Sequence, residues 1–318
     1  MEEKHIIITI KDETAFWNRD NISRTKAYER FFKLHPEIMW AFLAGMVSRN
    51  AGWNMCDLEG DWMPKLMGKD FRQRLFLTYE RANWLIFQDA YPQLLLYHYS
   101  TKFRKTLFHL NKYFSVTNFM VCEWKKFWEA RDKQRLLYSL IINEQNLIEE
   151  PVLHNNFYKE QVFESLLFRL QDHLHFSTVL FPTKNGDLYG ISASRFKNLG
   201  DRITLGKKLA LILFSPELFP SFCKFAAETE PTGSRYDYER YFPCYKRRDT
   251  PFLRLTYPFV NHPAPSSGQW DLIREIKPEW FSVPECPKNT LLNSWHRKKQ
   301  IQLQASIRAA QWIKGVLR

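Results

Sequence analysis

Glycine is scarce in this chain, with only 11 glycines among 318 residues. An all-β fold needs many tight turns, and glycine supplies the backbone torsions of such turns, so this scarcity argues against that fold class. Hydrophobic residues make up 45% of the chain and aromatic residues 16%, which excludes a disordered or fibrous protein. We therefore expect a globular protein whose interior is rich in aromatic rings.

Closely spaced cysteines and long apolar runs are also lacking. The five cysteines are odd in number and widely separated, namely Cys56, Cys122, Cys223, Cys244 and Cys286. They predict neither a zinc site nor a redox pair, and free thiols are typical of a reducing cytosol. The apolar run at 209–214 is far shorter than the ~20 residues of a membrane span, and the first residues resemble no secretory signal. A soluble cytoplasmic protein without a transmembrane segment is expected.

Positive charge is concentrated at the C-terminal end of the chain. The formal net charge is +12, and no acidic residue follows Glu285. The basic residues beyond that point are Lys288, Arg297, Lys298, Lys299, Arg308, Lys314 and Arg318. This pattern excludes a uniformly basic surface that coats nucleic acid, but it leaves a local interaction of residues 293–318 with nucleic acid or an anionic membrane open.

Proline divides the chain into two parts. Residues 1–150 contain only Pro36, Pro64 and Pro92, whereas eleven prolines lie between Pro216 and Pro287, too many for long helices there. We predict a mainly α protein with a multi-helix body over 15–228. A proline-rich, irregular extension over 229–318 should wrap onto that body and end in a helix.

Apolar spacing and capping residues predict the helices of the body. They are expected over 23–33, 36–47, 70–91, 118–131, 133–149, 156–175, 200–213 and 217–227. Ser23 should cap the first of these, and residues 50–54 should form the loop after the second. Two apolar runs, 178–181 and 188–192, flank a turn at 184–187 and predict one small hairpin with exposed edges.

Glu144 is the most informative residue of the predicted helices. Its neighbours one helical turn away are Leu140, Ile141, Leu147 and Ile148, all of them apolar. A carboxylate in such surroundings should be buried, and burial of an ionised carboxylate without a partner is costly. We therefore predict that Glu144 either has a cationic partner or an elevated pKa.

A second set of polar residues lies on the predicted helix 70–91, which is apolar on nearly every side. These residues are Glu80, Arg81, Asn83, Gln88 and Asp89. We predict an internal polar network in which Arg81, or failing that Arg49, is the counter-ion of Glu144. Arg49 and Asn54, from the cluster at 48–57, would border the same space. Such a network is either structural or the wall of a ligand cavity.

Other motifs are weak. His173 and His175 are two residues apart and suit a strand better than a metal site, so no metal and no cofactor are expected. Gly233, Ser234 and Arg235 could offer backbone N–H groups and a guanidinium to an anion, although a plain turn explains the same residues.

Several separated stretches resemble a family of uncharacterised proteins from Bacillus and related bacteria, typified by YppC. They are DNISRTKAY at 20–28, HPEI at 35–38, MVSRNAGWNM at 46–55, ERAN at 80–83, FQDAYPQ at 87–93, INEQN at 142–146 and TGSR at 232–235. The likeness covers roughly residues 15–245. It implies a bacterial cytoplasmic protein, and it transfers no reaction, ligand or site residue to this chain.

Three hypotheses about function follow from the sequence. The first is a non-enzymatic binding or interaction protein whose internal polar network holds a small ligand. The second is an enzyme that uses Glu144 as a general acid or base, although a single carboxylate is not a catalytic set. The third is a binder of nucleic acid or anionic membrane through residues 293–318, a predicted amphipathic helix. We expect that helix to dock through an apolar face that includes Ile301 and Ala305, with Gln300 on the opposite side.

Overall fold

The computed structural model describes residues 3–153, 178–192, 198–243, 247–263 and 269–316. The protein is mainly α with one small hairpin, as predicted. The helices are α1 (Glu3–Trp17), α2 (Asn21–Leu34), α3 (Met39–Asp57), α4 (Lys69–Phe103), α5 (Asn118–Ala130), α6 (Lys133–Leu147), α7 (Leu199–Leu213), α8 (Phe219–Glu228), α9 (Tyr236–Glu239), α10 (Leu253–Thr256) and α11 (Asn293–Val316). The strands are β1 (Thr178–Pro182) and β2 (Leu188–Ser192). The predicted helix over 156–175, together with His173 and His175, lies outside the described residues.

The N-terminal cap of α2 differs from the prediction. The helix begins at Asn21, and the Asp20 side chain accepts a hydrogen bond of 2.7 Å from the backbone N–H of Ser23. Asp20, not Ser23, is therefore the cap, since a carboxylate directly before the first turn satisfies a helix N–H group that has no other partner.

Helix α3 unites two segments that the sequence separates. It continues through residues 50–54, which were predicted to be a loop. Asn50 does not form a turn, because its side chain donates to the carbonyls of Met46 (3.0 Å) and Leu180 (2.7 Å) and accepts from the N–H of Leu180 (2.8 Å). The polar residues of this segment thus join α3 to β1, which turn propensity alone does not indicate.

Helix α4 also extends beyond its predicted end, from residue 91 to Phe103, and contains Pro92 in its interior. Proline removes one helical hydrogen bond. Here the helix continues because the turns around Pro92 are fully buried, with Tyr91, Leu94 and Leu96 no more than 3% exposed. Tertiary packing therefore outweighs the local propensity to break the helix.

Aromatic side chains fill the interior between α4 and α5. Tyr97 and Trp124 stack with their ring centroids 5.5 Å apart, and Phe108 stacks on the other side of Trp124 at 5.8 Å. All three rings are at most 1% exposed. Offset stacking of this kind adds to the stabilisation that comes from the buried area alone.

A buried polar network around Asp89 ties α4, α5, α6 and the extension together. Asp89 Oδ2 accepts hydrogen bonds from Gln93 Nε2 (2.7 Å) and Asn143 Nδ2 (2.6 Å). The indole N–H of Trp124 donates to Gln93 Oε1, and that of Trp270 donates to Asn143 Oδ1, both at 2.8 Å. Burial raises the pKa of Asp89 to about 7, because the two amide donors compensate only part of the lost hydration.

The extension after residue 228 packs on the helical body at several points. Trp270 and Trp280 are each 6% exposed, and Asp271 Oδ2 accepts a 2.9 Å hydrogen bond from the N–H of Phe119 at the start of α5. Lys207 on α7 donates to the carbonyls of Trp280 (3.0 Å) and Ser282 (2.7 Å). The same hydrophobic cluster that contains Phe108 and Trp124 also contains these tryptophans, so body and extension share a core.

The hairpin has the predicted strands, but its edges are covered. Thr178 pairs with Ser192 and Leu180 with Gly190. The outer edge of β2 bonds to the segment before α11, through Gly190 N–H to Thr290 O (2.9 Å) and through Leu292 N–H to Leu188 O (2.7 Å). Asn50 occupies the outer edge of β1. The prediction of exposed edges was wrong because it could not include these partners distant in sequence.

Helix α11 docks through a different face from the predicted one. His296, Gln300 and Ile307 are buried, whereas Ile301 and Ala305 are exposed. Gln300 faces the body because the surface that α11 covers is polar. His296 of α11 lies 3.8 Å from the Glu239 carboxylate on that surface. A polar surface on the body thus selects a polar side of the helix, which the apolar pattern of the helix alone cannot reveal.

We predict that Asp89→Asn changes the pH dependence of stability. The pKa of Asp89 is about 7 in the folded protein, whereas the ordinary pKa of an aspartate, taken for the unfolded state, is 3.8. The folded state therefore holds this proton more tightly than the unfolded state. Its contribution is complete below pH 3.8 and is lost as the pH rises through 7. Relative to wild type, Asp89→Asn should gain about 1 kcal/mol of unfolding free energy per pH unit between pH 5 and 7.

Urea unfolding at pH 5, 6, 7 and 8 measures this difference. Asp12→Asn is the control, because Asp12 is an exposed aspartate on α1. A difference between Asp89→Asn and wild type that stays constant with pH would contradict the account.

Candidate functional site

A cavity of about 150 Å³ lies at the centre of the helical body, where α2, α3, α4, α6, β1 and α7 meet. Most of its wall is apolar, formed by Leu43, Ala44, Val47, Ile86, Val179, Leu205, Gly206 and Leu209. Its polar lining residues are Arg24, Tyr28, Ser48, Asn83, Glu144, Gln145 and Arg202. A mainly apolar space with a few convergent polar groups is typical of small-molecule sites.

Gly206 determines how closely α7 approaches α6 at the cavity wall. A Cβ atom at this position would lie 2.7 Å from Cγ2 of Ile141. Because real Cβ contacts are longer than this, a larger residue would push the helices apart. Glycine is therefore required here for packing, and it contributes to the wall without filling the cavity.

Glu144 presents its carboxyl group to this cavity, and none of the described residues is its cationic partner. Trp40 Nε1 donates to Oε2 at 3.0 Å, and Gln145 Nε2 donates to Oε1 at 3.1 Å. Burial raises the pKa of Glu144 to about 7, because these two neutral donors do not replace the lost hydration. The side chain keeps an intermediate exposure although protein surrounds it, since the carboxyl group faces the cavity. The expected elevated pKa thus agrees with the structure, whereas the expected burial is only partial.

The predicted ion pair of Glu144 with Arg81 or Arg49 is replaced by other contacts. Arg81 donates to the carbonyl of Pro263 (2.8 Å) and lies over the Trp84 ring. Arg49 binds the Glu29 carboxylate (2.7 Å) and two carbonyls at the end of α8. Both guanidiniums point away from α6 because their helices place them on other faces, and helical periodicity alone does not fix which face meets α6.

Arg24 is a cavity residue that sequence reasoning missed. It is 1% exposed and pairs with Glu80, with Nη1 donating to Oε2 at 3.0 Å. Asn18 and Asn21 accept its remaining hydrogens, so all five N–H donors are used. Although burial alone would raise the pKa of Glu80, the charge of Arg24 lowers it. The polar residues at 18–21 beside Arg24 were the available signal.

Arg202 is a second missed residue, on the opposite wall. It pairs with Glu149, and its Nε donates to Gln145 Oε1 at 3.1 Å. Burial lowers the pKa of Arg202, and the neighbouring Glu149 carboxylate opposes that effect. Gln145 is therefore held from both sides, because its amide N–H donates to Glu144 while its oxygen accepts from Arg202. This chain of hydrogen bonds fixes the orientation of the Glu144 carboxyl group.

Tyr28 completes the polar end of the cavity. It is 3% exposed, and its ring packs edge-on against Trp40 with the centroids 5.5 Å apart. Burial raises the pKa of Tyr28 well above its usual value, and the charge of Glu144 raises it further, which places the two groups within electrostatic reach. Within the part of the chain that the structure describes, no hydrogen bond engages the Tyr28 hydroxyl.

The other predicted polar residues separate into different clusters. Asn83 lines the cavity beside Glu144 and donates to the carbonyl of Tyr79 (2.8 Å). Gln88 accepts from Asn18, next to the ion pair of Arg24. Asp89 belongs to the network with Trp270, and Asn54 lies beside the cluster of Arg235. The polar residues of α4 therefore serve several neighbours and not one common network.

The interpretation of residues 233–235 as an anion site does not fit the structure. Asp57 (2.6 Å), Asp249 (3.0 Å) and Glu239 (3.5 Å) surround the Arg235 guanidinium. Three carboxylates around one cation repel a further anion. Gly233 has a φ of +77°, and its missing Cβ admits the Leu253 side chain, since a Cβ there would lie 2.6 Å from Leu253 Cβ. The segment is a tightly packed turn that holds the extension.

The cavity has limited means for chemistry. Glu144 can gain or lose a proton near neutral pH, but Arg24 and Arg202 are paired with carboxylates and Tyr28 holds its proton firmly. Within the described ranges, no three histidine, cysteine, aspartate or glutamate residues lie close enough together to hold a metal ion. Binding is therefore what the arrangement supports best.

Comparison with known proteins identifies relatives without adding a reaction. The DUF2515 family, described as a protein of unknown function, matches residues 17–298. The chain is 46% identical over 311 residues to a protein of Bacillus subtilis strain 168 described as uncharacterized protein YppC, and the match covers 98% of this chain and 97% of that protein. No solved structure matches the chain. Among the helices of the described residues, none combines the length and hydropathy that crossing a bilayer requires.

We predict that Arg235→Met destabilises the protein by about 3–5 kcal/mol, because it leaves the surrounding carboxylates buried without their cation. Urea unfolding at pH 7 measures the loss. Arg247→Met is the matched control, since Arg247 is exposed, and it should change the unfolding free energy by less than about 0.5 kcal/mol. Equal effects of the two substitutions would show that the carboxylates do not depend on Arg235.

Proposed function

The chain belongs to the DUF2515 family, a family of unknown function, and we propose that it is a non-enzymatic binding protein whose central cavity holds a small ligand against Glu144. The proposal also assigns it to the bacterial cytoplasm. Support for that location comes from Cys56, Cys122, Cys223 and Cys286, the described cysteines, which are all free thiols.

One observation carries the proposal, namely a carboxyl group that has no cationic partner among the described residues and forms part of a cavity wall. An unpaired buried carboxylate lowers stability, because hydration is lost and no opposite charge replaces it. A bound molecule is the partner that would compensate for this loss. Glu123, by contrast, is also buried but pairs with Arg135 and Lys126, and it faces no described cavity.

The volume of the cavity limits the size of the ligand. A cavity of about 150 Å³ lined by leucine, isoleucine and phenylalanine is large enough for benzene. The central cavity has the same volume and a comparable apolar wall. A ligand group of about six non-hydrogen atoms therefore fits this space.

The alternative of an enzyme is supported by one property of Glu144. A pKa of about 7 suits a general acid or base near neutral pH. The neighbouring groups do not complete a catalytic set, because Arg24 and Arg202 are held in ion pairs and the raised pKa of Tyr28 makes it a poor proton donor. Binding is for this reason preferred over catalysis.

We predict that Glu144→Gln removes the ligand and leaves the fold intact. Glutamine keeps the shape of glutamate and can still accept from Trp40, and it removes the cost of ionising this carboxyl group, so the unfolding free energy near pH 7 should rise and not fall. Native mass spectrometry of protein purified from a bacterial host measures the bound mass. Wild type and Glu129→Gln, an exposed glutamate on α5, should carry the same additional small mass, and Glu144→Gln should lack it.

Ala44→Leu is a second variant, which fills the cavity from α3 and leaves Glu144 in the sequence. It should also lack the additional mass. Wild-type protein without any additional mass, under conditions that preserve a known small-molecule complex, would contradict the proposed function.

A further inference from the structure

The charge balance of the cavity is the feature that restricts the chemical class of its ligand. Arg24 with Glu80, and Arg202 with Glu149, are two ion pairs in which one charge cancels the other. Glu144 is the remaining ionisable carboxyl group of the wall, and neutral groups are its partners. The described wall therefore carries a negative charge whenever Glu144 is ionised, and its two arginines are balanced by Glu80 and Glu149.

The unused hydrogen-bonding capacity of the wall agrees with this balance. Every N–H of Arg24 is already donated to Asn18, Asn21 or Glu80, so Arg24 has none left for a ligand. Each Glu144 oxygen accepts one hydrogen bond and can accept a second. The oxygens of Asn83 and Tyr28 also remain available as acceptors. A group with several donors and a positive charge fits this end of the cavity.

The rest of the wall is apolar and would contact the part of the ligand that carries no charge. Leu43, Val47, Leu205 and Leu209 contribute to it, and these side chains offer no hydrogen bonds. A carboxylate or phosphate would have to face either these side chains or Glu144, and both contacts are unfavourable for an anion. The same contacts stabilise a bound aliphatic chain, because its apolar surface is removed from water.

We propose that the ligand is a small primary amine, bound as its ammonium ion by Glu144, Tyr28 and Asn83 with a short aliphatic body against the leucine-rich wall. This inference rests on the proposed function, because it names the class of ligand for the same cavity. The ammonium group supplies the counter-ion that Glu144 lacks.

Binding of an amine should depend on pH through Glu144. An alkylammonium ion with a pKa near that of lysine stays charged between pH 6 and 8, so only the carboxyl group changes its charge. Arg24 and Arg202 are held in ion pairs with Glu80 and Glu149, and the pKa of Tyr28 is raised. His262 lies 3.7 Å from Glu80, outside the residues that line the cavity, so it faces the ion pair of Arg24 and Glu80 and not the ligand.

The experiment compares butylamine, butanol and butyrate, three probes with the same aliphatic chain and different charge. Calorimetric titration measures the Kd of each probe for wild type and for Glu144→Gln, with Glu129→Gln as control. Butylamine should bind wild type most tightly. Glu144→Gln should weaken the binding of butylamine at least tenfold and change the Kd of butanol less than twofold. Lowering the pH from 8 to 6 should weaken butylamine about tenfold, because a carboxyl group with a pKa of about 7 becomes protonated.

Cavity-filling variants locate the binding. Ala44→Leu should abolish binding of every probe, and Val47→Phe serves the same purpose should Ala44→Leu fail to fold. Butylamine binding that persists in a folded filling variant would place the amine outside the cavity and overturn the inference.

The outcomes separate this inference from the proposed function. Tighter binding of butanol or butyrate than of butylamine, abolished by Ala44→Leu, would overturn the amine and leave a small-ligand cavity. Failure of all three probes to bind wild type would also overturn the inference of an amine ligand. The native mass spectrum would then be the test of whether the cavity holds any small ligand.

Discussion

The contact between the Trp40 indole and the Glu144 carboxyl group is the interaction on which the centre of the molecule depends. It is a hydrogen bond between a neutral donor and an acid that no cation of the described ranges accompanies. Tyr28 packs on the same indole, and Gln145 holds the other carboxyl oxygen. These contacts orient the carboxyl group, but as neutral donors they do not balance its charge when it is ionised. The cavity owes its chemical character to this incomplete compensation, since the same volume lined by apolar groups alone would offer no directional contact.

Two ion pairs of the interior hold the elements around the cavity, and a neutral network and a second charged cluster attach the extension. Arg24 with Glu80 joins α2 to α4, and Arg202 with Glu149 joins α7 to the turn after α6. Asp89 and Arg235 attach the extension, the first through Asn143 and Trp270 and the second through Asp57 and Asp249. Buried pairs of this kind add little net stability, but removing one partner is costly, so they favour one arrangement of helices over others. The extension thus shares a single core with the helical body.

Patterns over short distances in the sequence predicted much of the fold and one essential property of the site. The hairpin strands and most helix positions followed from apolar periodicity, and the elevated pKa of Glu144 followed from its apolar neighbours one turn away. Features that depend on distant residues could not be predicted in this way. Asn50 is predicted to form a turn as long as its contact with Leu180 is unknown. Pro92 is predicted to end the helix as long as the burial of its surroundings is unknown. Arg24 and Glu80 are 56 residues apart, so periodicity within one helix gives no indication of their pairing.

The most direct test of the central claim is an NMR titration of the Glu144 side-chain carboxyl carbon, assigned by comparison with Glu144→Gln. In the free protein this carbon should titrate near pH 7, because no cation stabilises the ionised form. Saturation with butylamine should move its pKa down toward the ordinary glutamate value of 4.5, because the bound ammonium ion favours the carboxylate. A carboxyl group that titrates near 4.5 in the free protein and is unchanged by the amine would contradict the account, since it would already have a charge partner.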